Sequence, residues 1–241
     1  MTSVSEFILG LKDGVFNLQS TPIAATYLSC VILSPVWRRF VPALELRKPM
    51  VVYNFICALT SLYSLVYFII PLIPNWPHSL FDTAENPYVK HAMYVYWMTK
   101  IFELLDTIIM ILRHRTRQVS FLHVYHHTTI MLIAEFAYIR GARPAMGVIL
   151  ALNSLVHVFL YYYYGQTARR PMQRPMWKKA LTELQLTQFF IGVAHQIVGY
   201  YYYNFCLYGI IYETTMIVLF SNFYFNAYIK RSPQQKVKKV E

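Results

Sequence analysis

The sequence predicts an all-α membrane protein with seven transmembrane helices. Three observations carry that prediction. Apolar runs of about 20 residues, the length that crosses a bilayer, recur along the 241-residue chain. Only 14% of the residues are charged, against about a quarter in a soluble domain. The basic residues gather in alternate inter-span segments, as topogenic charge does.

The spans follow in order. Span 1, residues 22–37, is the shortest and holds Pro35. Span 2 covers 50–72, and residues 73–89 after it form the one long loop. Span 3 covers 90–112, span 4 covers 120–139 and span 5 covers 144–165. Span 6 covers 179–199 and span 7 covers 207–229. Three segments are expected: a luminal N-terminus at 1–21, a seven-span domain at 22–230 and a cytosolic tail at 231–241. Residues 1–21 lack the apolar core and flanking charge of a Sec-type signal peptide.

The net charge is +11. On a soluble protein this would suggest nucleic acid, but here it follows topology, and no nucleic-acid partner is expected. Arg38, Arg39, Arg47 and Lys48 lie in the loop after span 1. Arg113, Arg115 and Arg117 follow span 3. Arg169, Arg170, Arg174, Lys178 and Lys179 follow span 5, and Lys230, Arg231, Lys236, Lys238 and Lys239 follow span 7. The other side holds Lys12, Lys90, Arg140 and Arg143, while Lys100 is inside a span. The positive-inside rule places the larger set in the cytosol, so the N-terminus is luminal and the C-terminus cytosolic. The ending Lys238-Lys239-Val240-Glu241 resembles a cytosolic dilysine retrieval signal. It implies residence in the endoplasmic reticulum membrane. Cys30, Cys57 and Cys206 form no CxxC pair and lie far in sequence from the polar motifs, which excludes thiolate metal sites and disulfide frameworks.

Ionisable groups in hydrocarbon are costly, at roughly 2.5–3.5 kcal/mol each on insertion scales. Several occupy these spans at helical spacing. Span 4 carries His123, His126 and His127, three imidazoles on one helix face. Span 3 carries Lys100, Glu103 and Thr107 on one face, with Asp106 at its edge. A lone ion pair would only fix packing. Span 5 adds Asn153 and His157, and span 6 adds Thr182, Gln185 and Gln188. Single amides often serve as interhelical glue, but four polar faces argue for a shared cavity. The groups lie toward the cytosolic ends of their spans, beneath a cationic rim, and the deeper lining is apolar and aromatic. An amphiphile with a polyanionic head and a long tail, such as acyl-CoA, fits that layout.

At these residues the sequence resembles the very-long-chain fatty acid elongases, the 3-ketoacyl-CoA synthases of the endoplasmic reticulum. KxxExxDT is met by Lys100, Glu103, Asp106 and Thr107, and HxxHH by His123, His126 and His127. NSxxHxxMYxYY is met by Asn153, Ser154, His157, Tyr161, Tyr163 and Tyr164, with Leu160 in the Met position. TxxQxxQ is met by Thr182, Gln185 and Gln188. Loop 73–89 has no cysteine, so Cys206 lacks a partner for the luminal disulfide of some relatives.

The resemblance implies a fold in which spans 2–7 form a six-helix inverted barrel around an acyl tunnel, with span 1 outside. It implies decarboxylative condensation of malonyl-CoA with a long-chain acyl-CoA to a 3-ketoacyl-CoA, with no cofactor and no metal. It points to His126 as the acyl acceptor, a role open to a neutral imidazole. His157 would assist by positioning or proton transfer. Asn153, Gln188 and His127 would be donors to the developing oxyanion or enolate, and Lys100, Glu103 and Asp106 would orient the histidines. Lys178, Lys179 and Arg117 are candidates for the CoA phosphates, with Tyr161, Tyr163, Tyr164, Gln185 and Thr182 as further substrate contacts. Membrane lipid, a homodimer and the other elongation-cycle enzymes are the implied partners. The string QVSFLHVYHH, residues 118–127, resembles elongases of polyunsaturated chains.

Two other classes fit parts of the pattern. A membrane di-iron desaturase or hydroxylase also uses HxxHH but has three histidine boxes, whereas His78, His91 and His195 lie far from this one. A seven-span transporter or receptor would show broken helices at matched positions in two halves.

Overall fold

The computed structural model describes residue 14 and residues 16–173 and 175–230. Most of the expected luminal N-terminus, Arg174, Arg231 and the tail with Lys238 and Lys239 lie outside the described residues. Among the described residues the secondary structure is helical throughout, with no strand. The chain divides into two compact units, Met1–Pro171 and Met172–Glu241.

The first unit holds α1 (Ser20–Phe40), α2 (Arg47–Ile69), α3 (Pro87–Glu103), α4 (Leu105–Leu112), α5 (Phe121–Arg140) and α6 (Pro144–Arg169). Local chemistry sets the boundaries. Asn86 caps α3, its side chain accepting from the backbone N–H groups of Tyr88 and Val89, and Pro87 follows at the first helical position. Ser120 caps α5 by accepting from the N–H of His123. Gly141, at φ 113°, ends α5 in a conformation that a Cβ would strain. Three residues later Pro144 starts α6.

Helices α2 and α6 form the most extensive helix pair. Gly147 of α6 sits against Phe68, and Gly165 against Phe55. The order of those contacts makes the pair antiparallel, and the missing side chains let two rings seat on the α6 backbone. Helix α3 packs against α2 and α5, and α1 packs against α4 and α5.

The second unit holds α7 (Lys178–Tyr203) and α8 (Leu207–Tyr224), which continues as a π-helical turn at Phe225–Ile229. Asn204, at φ 56°, closes α7 in the left-handed region. The two helices pack on each other, with Phe189 against Phe220.

Each expected span coincides with helix to within a few residues, except at one point. The sequence predicts one continuous helix for span 3, but the helix breaks at Leu104. There the bonding tightens to three-residue steps, Leu104 N–H to Ile101 O and Thr107 N–H to Leu104 O, each at 3.2 Å. No Pro or Gly lies between Ile101 and Thr107 to mark the break. It coincides with Glu103, Asp106 and Thr107, whose side chains bond to different helices.

Among the described residues, three helical stretches are by length and composition apolar enough to cross a membrane: Ser20–Phe40, Arg47–Leu72 and Pro144–Arg169. The others carry the polar groups that lower their hydropathy, or are cut short at Leu104. Polarity is inverted relative to a soluble fold. Lys100, Glu103, Thr107, His127 and His157 are buried, while Ile32, Leu33, Phe40, Leu59 and Val52 are widely exposed.

Candidate active site

Helix α6 runs in the same direction as α3 and the α4 that follows it, and polar pairs link α6 to them in three rungs, two on α3 and one on α4. Tyr96 O–H donates to Asn153 Oδ1 at 2.7 Å. Lys100 and Glu103 meet His157. Tyr161 O–H donates to Asp106 Oδ2 at 2.7 Å. The sequence offsets of these pairs stay between 54 and 57, as a parallel helix pair requires. Asn153, His157 and Tyr161 fall at four-residue steps, so α6 presents all three from one face.

The middle rung is the most buried. Lys100 and Glu103 are 1% and 0% exposed. The ammonium lies 2.9 and 3.0 Å from the two Glu103 oxygens and 3.1 Å from His157 Nδ1. Tyr96 adds its ring face at 4.7 Å. The ammonium therefore has both carboxylate oxygens and an aromatic face as partners, which is the kind of pairing that keeps a charge in a dry interior. His157 Nδ1 is also 3.2 Å from Glu103 Oε1. It can accept from Lys100 or donate to Glu103, and either contact holds the ring through Nδ1.

Helix α5 brings the histidine box to this rung. The His126 and His157 ring centroids are 6.4 Å apart. His123 and His127 are 4.3 Å apart, and His126 and His127 are 5.6 Å apart. His127 is buried, whereas His123 and His126 are half-buried. His127 Nδ1 has no hydrogen-bond partner among the described residues. Thr107 Oγ1 is 2.8 Å from His123 Nε2 and 2.8 Å from the hydroxyl of Tyr27.

The first unit thus gathers His123, His126, His127, Lys100, Glu103, Asp106, Asn153, His157 and Tyr161. Tyr163 is buried and Tyr164 is partly exposed, with their rings 5.9 Å apart. Arg117 is exposed in the segment between α4 and α5. The second unit holds Thr182 and Gln188, both buried, and Gln185, half-buried. Thr182 Oγ1 is 3.3 Å from the Tyr228 hydroxyl. Lys178 and Lys179 are exposed at the start of α7, with Lys179 3.3 Å from Glu183, which also accepts from Tyr224.

One expectation fails here. Distance in sequence suggested that no cysteine neighbours the motifs, yet Cys57 packs in a buried cluster with Tyr53 and Tyr161. The α2–α6 pairing brings it there. Its side chain is 0% exposed, and all three cysteines are free thiols. Sequence reasoning also passed over Tyr27, Tyr96 and Glu135. Glu135, 1% exposed, accepts from the N–H groups of Gln19 and Ser20 at 2.7 Å each. Among the described residues no three His, Cys, Asp or Glu side chains are arranged to hold a metal ion.

The chain is similar to known proteins over most of its length. Residues 18–236 match the family described as ELO: GNS1/SUR4 family. The chain is 35% identical over 228 residues to very long chain fatty acid elongase 1 of Mus musculus, a match covering 87% of this chain and 81% of that protein. It is 31% identical over 235 residues to very long chain fatty acid elongase 2 of Mus musculus, covering 91% and 79%. With very long chain fatty acid elongase 4 of Homo sapiens the identity is 32% over 227 residues, covering 86% and 70%.

Proposed function

The chain belongs to the GNS1/SUR4 family of fatty acid elongases, the 3-ketoacyl-CoA synthases, and from that premise we propose that it condenses malonyl-CoA with a long-chain acyl-CoA through an acyl-histidine intermediate. The observation that carries the reading is the half-buried His126 ring 6.4 Å from His157, whose Nδ1 is held by Lys100 and Glu103.

The chemistry runs in two halves. A ring nitrogen of His126 attacks the acyl thioester carbonyl, and the C–S bond breaks to release the CoA thiolate. The proton lost from the imidazolium goes to that thiolate, leaving an N-acyl imidazole. Malonyl-CoA then loses carbon dioxide. The electron pair of the broken C–C bond becomes a thioester enolate, whose carbon attacks the acyl carbonyl. The C–N bond to His126 breaks, the departing ring nitrogen takes up one proton delivered from solvent to restore neutral imidazole, and the product is a 3-ketoacyl-CoA two carbons longer. Holding His157 through Nδ1 leaves Nε2 as the nitrogen for proton transfer at this site. Buried donors such as Asn153 and His127 serve the oxyanion and enolate, where a low-dielectric setting strengthens each contact.

The same reading carries a seven-span topology with a luminal N-terminus, spans 2–7 as the barrel, residence in the endoplasmic reticulum and use of polyunsaturated chains. Exposed Lys178 and Arg117 are suited to the phosphates of CoA. Purified protein given acyl-CoA and malonyl-CoA should form the 3-ketoacyl-CoA and carbon dioxide in equal amounts, and His126→Ala should form neither. Wild-type protein that makes no ketoacyl product from any chain length, or an active His126→Ala enzyme, overturns the proposal.

A further inference from the structure

Helix α1 presents one narrow buried face, Ser20, Ala24 and Tyr27, at steps of four and three residues. The start of the helix is pinned. Glu135 of α5 accepts from two of its backbone N–H groups, where the helix dipole favours a carboxylate. Ser20 Oγ accepts from the indole N–H of Trp97 at 2.8 Å. Two turns further along, that register delivers the Tyr27 hydroxyl to Thr107. Tyr27 is 4% exposed and Thr107 is 0% exposed.

We propose that Tyr27 is a positioning residue for the histidine box, acting through Thr107 on His123; this rests on the elongase reading of that box. The three groups form an unbroken chain, 2.8 Å from Tyr27 to Thr107 and 2.8 Å from Thr107 to His123 Nε2. Each hydroxyl has one hydrogen to give. A phenol is the better donor of the two, so Tyr27 gives to Thr107 and Thr107 gives to Nε2. That direction places the imidazole hydrogen on Nδ1 and fixes the tilt of His123. The His123 ring packs tilted against His127 at 4.3 Å, and His127 packs at 5.6 Å on His126. The first helix therefore sets the ring order of the box without touching the reacting atoms.

Tyr27→Phe removes the hydroxyl and keeps the ring. The rate of CoA release from acyl-CoA alone should fall about threefold to tenfold, the worth of one intramolecular hydrogen bond. The acyl-CoA concentration giving half-maximal rate should not move. Thr107→Val should lose at least as much, and adding Tyr27→Phe to it should cost nothing more, because the chain is already cut. Thr107→Ser should restore the rate. An unchanged rate in Tyr27→Phe, independent multiplication of the two losses, or a loss confined to half-saturation overturns the role of Tyr27. If Thr107→Val does not fold, Tyr27→Phe and Thr107→Ser decide alone. His126→Ala separates the two levels. If it keeps the CoA release, the reading of the box falls and this proposal with it. If it loses the release while Tyr27→Phe keeps the wild-type rate, only the role of Tyr27 falls.

Discussion

Lys100 and His157 stand 57 positions apart in the chain, and Lys100 Nζ meets His157 Nδ1 at 3.1 Å in an interior that excludes water. Glu103 lies within hydrogen-bond reach of both. A lysine and a glutamate one turn apart would form an ion pair on any helix. Here the pair also holds an imidazole from another helix, so the cost of burying two charges secures a fixed ring beside the histidine box.

Breaking that pair should cost stability and activity together. Glu103→Gln leaves Lys100 buried without a counter-charge, a loss of about 3–5 kcal/mol where it has been measured elsewhere. Lys100→Met should cost similarly. The double change Lys100→Met with Glu103→Met removes both charges and should regain much of the lost stability while remaining inactive, since His157 is then unheld. Thermal unfolding in detergent and a turnover assay check both halves. A double variant no more stable than either single one would show that the two charges are not coupled.

The helices were legible because each apolar run marks its own length, and the motif residues were legible because helical spacing puts them on one face. The partners of those residues were not. Tyr27 bonds to Thr107 across 80 positions, and Glu135 to Ser20 across 115. No local period encodes such distances. A tyrosine in an apolar helix reads as core until the fold gives its hydroxyl a partner. The position of Cys57 is hidden for the same reason, since Tyr161, in the same buried cluster, arrives on a different helix. The break at Leu104 escaped because it follows from tertiary bonds rather than from a helix-breaking residue.

The lysines that open α7 should act through charge. Lys179 already faces Glu183 at 3.3 Å and the Tyr224 ring at 5.7 Å, so Lys178 is the freer cation for CoA phosphates. Lys178→Ala should raise the KM for acyl-CoA and malonyl-CoA more than Lys179→Ala does. The rise should shrink at high salt, because exposed charges are screened beyond about 8–10 Å at physiological ionic strength. An equal rise at every salt concentration would point to disturbed folding of the helix start.

Chelation should leave turnover intact. HxxHH supplies three imidazoles, but Thr107 sits against His123 Nε2 and His126 faces His157. Activity measured after prolonged treatment with a strong chelator should match the untreated enzyme. Loss on chelation that added iron restores would move the chain to the oxygenase class.

The nucleophile gives the most discriminating measurement. If His126 carries the acyl group, the enzyme is ping-pong, and acyl-CoA alone should release CoA in a burst of at most about one per active site. Intact mass should show an acyl adduct, and malonyl-CoA should discharge it. His126→Ala should lose burst, adduct and product together. His157→Ala should slow turnover more than the burst, because His157 assists and does not carry the acyl group. Cys57 is the thiol to test, as it packs on Tyr161 at the edge of the polar cluster. Its side chain is fully buried, whereas His126 is half-buried. Cys57→Ser should therefore keep the adduct, as should Cys30→Ser and Cys206→Ser, both at exposed thiols. An adduct that survives His126→Ala and disappears in Cys57→Ser would transfer the nucleophile to α2. The family assignment would stand, since it rests on the match over residues 18–236, and the imidazole mechanism would not.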